Sequence, residues 1–133
     1  FSNNSTLAGH VTVGDYVTLA GMVAVHQFCN IGRHAFIAGG SLVRKDIPPF
    51  VKAAREPLSY VGINSVGLRR RGFSSEKIRE IQNIYRILYQ KKFNNTQAIN
   101  IIEAEVEATS DRDEILVFIK DSQRGIMKGY IQN

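Results

Sequence analysis

Aliphatic or aromatic residues recur at every sixth position, at Phe1, Leu7, Val13, Leu19, Val25, Ile31, Ile37 and Val43. The residue after each is Ser2, Ala8, Gly14, Ala20, His26, Gly32, Ala38 or Arg44, small in six of the eight. A helix needs apolar spacings of three and four and an isolated strand needs two, so neither accounts for a strict period of six. A hexapeptide period in which a large apolar residue precedes a small one predicts a parallel β-helix, whose short strands stack coil on coil. The large residue points inward and the small one permits the corner. Three hexads make one triangular coil, so the chain returns to the same face three hexads later, about 4.8 Å higher. Phe1 already occupies an inward position, and nothing ahead of it caps the open end of the stack. An uncapped solenoid edge leaves strand groups unpaired, so the expectation is a piece of a longer protein whose earlier coils lie upstream.

The repeat stops at Asp46-Ile47-Pro48-Pro49, where two prolines remove backbone donors and rule out another regular coil. Residues 49–72 read as a connecting segment. Ser74 or Ser75 then caps a helix with Ile78, Ile81, Tyr85 and Leu88 at spacings of three and four. Asn94-Asn95-Thr96 opens a second helix with Ile99, Ile102 and Val106 on its buried stripe, and Ser110-Asp111-Arg112-Asp113 starts a third, with Ile115, Phe118 and Ile119, ending near Gly125. The predicted fold is α+β: parallel β-helix coils over 1–48, the connecting segment, and a small three-helix domain over 73–133.

The net charge of +5 is unevenly spread: +1 over residues 1–48, +7 over 49–92 and −3 over 93–133. A central patch of that sign attracts an anionic partner, whether a phosphorylated small molecule, an acidic protein, a membrane surface or a nucleic acid. Charge alone does not choose among them. The single cysteine, Cys29, has no partner for an internal disulfide and lies in no CxxC motif, which favours a reducing compartment and the cytoplasm. No apolar run approaches the roughly 20 residues needed to cross a bilayer, and the N-terminus has no signal-peptide pattern.

Three stretches are more specific than the repeat: Asn3-Asn4-Ser5-Thr6-Leu7-Ala8-Gly9-His10, Gly21-Met22-Val23-Ala24-Val25-His26-Gln27-Phe28-Cys29 and Gly67-Leu68-Arg69-Arg70-Arg71-Gly72-Phe73. With Asp46-Ile47-Pro48-Pro49 and the helical tail between and after them, the chain resembles the UDP-N-acetylglucosamine O-acyltransferases over essentially its whole length. The resemblance implies a left-handed β-helix and transfer of a 3-hydroxyacyl group from acyl carrier protein to the 3-hydroxyl of UDP-N-acetylglucosamine, the first step of lipid A synthesis. It implies no metal and no cofactor beyond the carrier-borne thioester, no nucleic-acid partner, and a homotrimer with sites between neighbouring β-helices. The base of that family is a histidine in an upstream His-Ile-Ala-His-Asp-like segment. That segment is absent here, so the isolated chain is expected to be inactive.

His10 and His26 lie in hexads three apart and are expected on the same face of adjacent coils. His26 also breaks the small-residue rule, a departure from pattern of the kind that marks functional positions; the alternative is a histidine tolerated at a corner. The resemblance places a histidine near substrate and thioester at His10. His34 has no such support and reads as an exposed polar residue. By resemblance the backbone N–H of Gly9 faces the oxyanion of acyl transfer, although a plain corner explains the glycine equally. Gln27 either hydrogen-bonds the sugar or caps a corner. Arg69-Arg70-Arg71 reads as a solvated basic loop on composition, whereas guanidinium forks suit a diphosphate. The resemblance assigns Arg70 and Arg71 to the nucleotide, with Asn64 beside them, and Gly39 to the acyl-chain groove, which a glycine leaves open to a long chain. Val66 stands where an acidic substrate contact is expected and Pro57 where a histidine is common. Two other classes remain open from the residues: a γ-type carbonic anhydrase with zinc held by histidines at a subunit interface, for which no third ligand in register is visible, and a non-catalytic trimeric scaffold.

Overall fold

The computed structural model describes residues 6–90 and 92–129. Phe1, Ser2 and the Asn3-Asn4-Ser5 part of the first motif lie outside the described residues. Seven two-residue strands follow at six-residue intervals, from β1 (Thr6–Leu7) through β2 (Thr12–Val13), β3 (Thr18–Leu19), β4 (Ala24–Val25), β5 (Asn30–Ile31) and β6 (Phe36–Ile37) to β7 (Leu42–Val43). They pair in parallel as β1-β4-β7, β2-β5 and β3-β6, with Leu7 opposite Val25, Val25 opposite Val43, Val13 opposite Ile31 and Leu19 opposite Ile37. Every partner is three hexads away, so the repeat winds the triangular coil its period predicts. Leu19, Val25, Ile31, Ile37 and Val43 fill the prism and are buried. Where the following residue is glycine the cause is steric: a Cβ added to Gly14 would lie 2.7 Å from the Arg33 backbone nitrogen, and one on Gly32 would collide with Pro49.

The fourth residue of each hexad turns the corner with positive φ, at His10 (59°), Tyr16 (60°), Met22 (64°), Phe28 (68°), His34 (63°) and Gly40 (74°). A non-glycine residue in this region costs about 1–2 kcal/mol. Contacts between successive coils offset part of it, because the His10 ring stacks on Phe28 at 5.3 Å and the Tyr16 ring on His34 at 5.0 Å.

The prolines do not end the stack where expected. Ile47 bridges to Ile31, and β8 (Val51–Ala54) pairs in parallel with β6, placing Lys52 opposite Phe36 and Ala53 opposite Ile37. These partners are sixteen residues apart instead of eighteen, so the last coil is only shortened. Gly14 N–H donates to the Ile31 carbonyl and Gly32 N–H to the Ile47 carbonyl one coil above. Pro48 holds the equivalent position in the last coil, where no further coil needs its donor. The prolines therefore stop growth above this coil without disrupting it.

β9 (Ser59–Ile63) returns antiparallel to β8 after a turn containing a cis Glu56–Pro57 peptide. A six-residue helix, α1 (Ser65–Arg70), follows directly. The segment read as a connector is thus a hairpin and a helix. The three helices expected beyond it correspond to α2 (Ser75–Gln90), α3 (Asn95–Glu105) and α4 (Ser110–Asp121), giving four helices among the described residues. Ser74 accepts from Lys77 N–H at the start of α2, Asn94 and Gln97 form a capping box on α3, and Thr109 caps α4. α4 ends four residues short of Gly125. One buried apolar cluster runs from Leu19 and Ile37 through Phe50 and Leu68 to Ile84, Ile102 and Ile119, so prism and helices share a core. The Tyr85 hydroxyl donates to the Pro49 carbonyl at 2.6 Å across that join. Among the described residues no helix is long and apolar enough to cross a membrane.

Candidate functional site

Most of the residues singled out from the sequence fall at two corners of the prism. At the first corner, between β4 and β5 and the coil below, Gly9, His10, His26 and Gln27 are all exposed. Leu7 pairs with Val25, so the two histidine hexads do share a face. The imidazoles are nonetheless not in vertical register, because His26 follows its strand directly whereas His10 occupies the turn and stacks on Phe28 instead. His26 N–H donates to the Val43 carbonyl. Its hexad position is occupied by Ala8 below and Arg44 above, so the long side chain meets no backbone of the kind that restricts Gly14 and Gly32. A Cβ on Gly9 would meet nothing within 4 Å, and its φ is not positive, so neither space nor conformation within this chain demands the glycine.

The second corner carries a column of rings. Tyr16 stacks on His34, His34 on Phe50 at 5.8 Å, and Phe73 packs edge-on against His34 at 5.1 Å. His34 is only 3% exposed, contrary to its reading as a surface residue. The hexad rule places it outward, and the covering groups, Phe50 and Phe73, come from segments beyond the repeat. Burial, and then the neighbouring Arg33 guanidinium, lower the pKa of His34 below the ordinary histidine value.

α1 brings the remaining cluster to this corner. Asn64 caps the helix, accepting from Gly67 N–H at 3.2 Å, while its Nδ2 donates to the His34 carbonyl at 2.9 Å. One amide hydrogen and one lone pair remain for a ligand. Gly67 is required here, since a Cβ would collide with the Asn64 amide. Arg70 and Arg71 follow on the exposed last turn, and the Arg71 guanidinium lies 4.1 Å from the Tyr16 ring centroid. Asn64, Arg70 and Arg71 line one pocket of about 240 Å³ with Tyr16, Thr18 and His34. Arg70 and Asn64 also line an adjoining pocket of about 290 Å³ that reaches Lys52 and Val66. Lys52 was not singled out from the sequence; the opposition of Phe36 and Lys52 across the shortened coil was not legible in a six-residue period.

Gly39 is exposed near a third corner, where a Cβ would come within 3.1 Å of the Gly21 carbonyl. Pro57 sits in the hairpin turn, away from Asn64 and lining a pocket with Leu42 and Arg44. A hollow of about 700 Å³ beneath α4 holds none of the predicted site residues. Its wall includes Asp15, Asp46, Asp113, Glu114 and Asp121, which would repel a phosphate. His10 and His26 lie at a different corner from His34, and among the described residues no three His, Cys, Asp or Glu side chains are grouped to hold a metal ion.

Stacked hexapeptide coils closed by a hairpin and short helices define a hexapeptide-repeat protein. Residues 46–127 match the family model for domain 2 of UDP-N-acetylglucosamine O-acyltransferase, and the chain belongs to that family. It is 43% identical over 129 residues to the acyl-[acyl-carrier-protein]--UDP-N-acetylglucosamine O-acyltransferase of Stenotrophomonas maltophilia (strain R551-3), covering 96% of this chain and 49% of the relative. The enzyme of the same name from Herminiimonas arsenicoxydans is 47% identical over 131 residues, with 96% and 50% covered. The crystal structure of Francisella novicida UDP-N-acetylglucosamine acyltransferase superposes with a TM-score of 0.89 at 40% identity, over 95% of this chain and 46% of that one. The Arabidopsis UDP-N-acetylglucosamine acyltransferase gives 0.88 at 34% identity, over 95% and 47%. The chain thus spans about half the length of the relatives it matches, and the likeness makes its coils part of a left-handed β-helix.

Proposed function

We propose that this chain is the C-terminal part of an acyltransferase that moves a 3-hydroxyacyl group from the thioester of acyl carrier protein to the 3-hydroxyl of UDP-N-acetylglucosamine, in the first step of lipid A synthesis. The observation that carries the reading is the convergence of Asn64, Arg70 and Arg71 on one pocket beside Tyr16 and His34. Two guanidinium groups there suit the diphosphate, and the free valences of Asn64 suit the nucleotide.

In the proposed reaction the sugar hydroxyl loses its proton to a histidine upstream of this chain and attacks the thioester carbonyl. The carbon–sulfur bond breaks, and the carrier's thiolate leaves and takes up a proton. Gly9 N–H donates to the oxyanion, with His10 beside it, while His26 and Gln27 contact the sugar. Gly39 leaves the acyl groove open. The donor's thioester meets the need for activation, so no metal or organic cofactor is assigned.

The homotrimer implied by the family resemblance fits the placement of the candidate residues at two corners. His10 and His26 lie on one edge of the prism and Arg70 and Arg71 beside another, which supports a site completed where one subunit's first corner meets its neighbour's second in such an assembly. The +7 stretch over residues 49–92 suits docking of an acidic carrier protein. The buried, unpaired thiol of Cys29 fits a cytoplasmic location. We read residues 1–48 as β-helix coils whose last turn is closed by β8 inside the 49–72 join, and 73–133 as a helical domain built on three helices, α2–α4. Titration of the full-length protein with UDP-N-acetylglucosamine tests the reading: the joint substitution of Arg70 and Arg71 by Ala should abolish binding and acyl transfer. Unaltered binding in that variant would place the nucleotide site elsewhere, and a wild-type protein that does not bind UDP-N-acetylglucosamine would favour a scaffold.

A further inference from the structure

Thr18, Phe36 and Lys52 form one outward column across β3, β6 and β8, since Thr18 pairs with Phe36 and Phe36 with Lys52. Their neighbours Leu19, Ile37 and Ala53 point inward and are fully buried. The Lys52 ammonium lies 5.8 Å from the Phe36 ring centroid, a distance at which the ring face still attracts it. α1 closes the side of this column, so Lys52 and Arg70 line the same pocket of about 290 Å³, with Asn64 and Val66 in its wall.

The lining contains two cations and no carboxylate. Among the described residues neither Lys52 nor Arg70 makes an ion pair. Val66 has a bearing on this. It is 61% exposed in the pocket wall, at the position where the family resemblance leads one to expect an acid. An acid there would compete with an anionic ligand for Lys52; an isopropyl group does not.

We propose that Lys52 is a specificity-determining residue that binds a phosphate of the sugar nucleotide together with Arg70. The proposal rests on the reading that UDP-N-acetylglucosamine is the substrate. A guanidinium fork grips one phosphate through two parallel hydrogen bonds, whereas an ammonium is a point charge with three donors that accommodates the second phosphate without fixed geometry. The packing on Phe36 restrains the long stem, which reduces the entropy lost when the ligand arrives.

The test uses the full-length protein, with UDP, uridine and UDP-N-acetylglucosamine as probes, by isothermal titration calorimetry and steady-state kinetics. Lys52→Met keeps the stem over Phe36 and removes the charge; thermal melting checks that it folds. Lys52→Met should weaken UDP about tenfold, the loss expected for one charge-assisted hydrogen bond, and leave uridine unchanged. KM for UDP-N-acetylglucosamine should rise with kcat little altered, and Lys52→Arg should restore UDP affinity to within about threefold. If Lys52→Met binds UDP as wild type does while Arg70→Ala binds it weakly, Lys52 merely packs on Phe36 and only this inference falls. Equal losses for UDP and uridine also overturn it, since the phosphate is then not what Lys52 contacts. A wild-type protein that binds neither UDP nor UDP-N-acetylglucosamine removes the substrate reading and this inference together.

Discussion

The Arg71 guanidinium lies 4.1 Å over the ring of Tyr16, and Tyr16 is itself stacked on the buried His34. A residue of the repeat thus holds in place a cation delivered by a helix more than fifty residues later in the chain. Without the ring, Arg71 at the C-cap of α1 is free to sample many rotamers, and if it binds the nucleotide as proposed, part of the affinity is lost in ordering it. A cation–π contact at such a site is worth about 0.5–2 kcal/mol. Tyr16→Ala should therefore weaken UDP-N-acetylglucosamine binding by about fivefold, whereas Tyr16→Phe, which keeps the π face, should leave it within about twofold. Calorimetric titration of the two variants checks this, and equal affinities for both would remove the role of the ring.

His34 makes the fold sensitive to pH between the carboxylate range and neutrality. Its folded pKa is lowered below the ordinary value of 6.5, chiefly by burial and then by Arg33. As pH falls through 6.5 the unfolded chain takes up a proton that the folded protein still refuses, so stability falls with pH until the folded pKa is reached and then levels off. Urea unfolding at intervals from pH 7.5 to 5 should show the midpoint declining. In His34→Phe, which preserves an aromatic ring between Tyr16 and Phe50, the decline should shrink. An identical slope in wild type and variant would place the titrating group elsewhere.

The coils were legible because their constraint is local and repeated: every sixth side chain has to fill the same narrow prism, and no other register lets Leu19, Ile31 and Ile37 be buried at once. The helices after residue 74 were legible through their caps at Ser74 and Asn94, whose side-chain oxygens satisfy the first free N–H groups, and through the Ser110-Asp111-Arg112-Asp113 start of the third, whose cap is Thr109, one residue earlier than that start. The β8–β9 hairpin and α1 left weaker marks. Val51, Ala53 and Ile63 alternate over too few residues to stand out, and α1 has a single buried residue, Leu68, depending on Asn64 for its start. The burial of His34 was invisible because the rings that cover it, Phe50 and Phe73, lie sixteen and thirty-nine residues further along. The spacing of Tyr16 and His34 by three hexads was the signal that would have revealed the column. Lys52 became visible only once the sixteen-residue coil set it opposite Phe36.

Asp46 locks the last coil to the end of α4. It is 1% exposed, accepts from Asn30 N–H at 2.8 Å and receives the Ser122 hydroxyl at 2.6 Å. Its own backbone is also paired, with Gly125 and Met127. Asp46→Ala leaves a partly buried N–H and a hydroxyl unsatisfied, which should cost about 1–3 kcal/mol, while Ser122→Ala alone should cost about 1 kcal/mol. Because the two groups share a hydrogen bond, the double variant should lose less than the sum of the single losses. Urea unfolding of the four proteins measures this, and strict additivity would mean that the 2.6 Å contact contributes nothing to stability.

Gly39 carries the prediction about chain length. A Cβ at that position approaches the Gly21 carbonyl at 3.1 Å, close enough that a substituent has to be accommodated by a small shift of the neighbouring turn. The glycine is exposed and does not have positive φ, so a larger residue is conformationally allowed and its side chain extends into the open space beside the coil. If the acyl groove runs past this corner, Gly39→Met fills its far end and penalises the last methylenes of a long chain at about 0.8 kcal/mol each, or roughly fourfold in relative rate per methylene excluded. The full-length protein given a mixture of 3-hydroxyacyl carrier-protein donors should then shift its products toward shorter chains, with UDP-N-acetylglucosamine affinity unchanged. The same product distribution from wild type and Gly39→Met, in a variant whose melting curve matches wild type, would place the groove elsewhere on the prism.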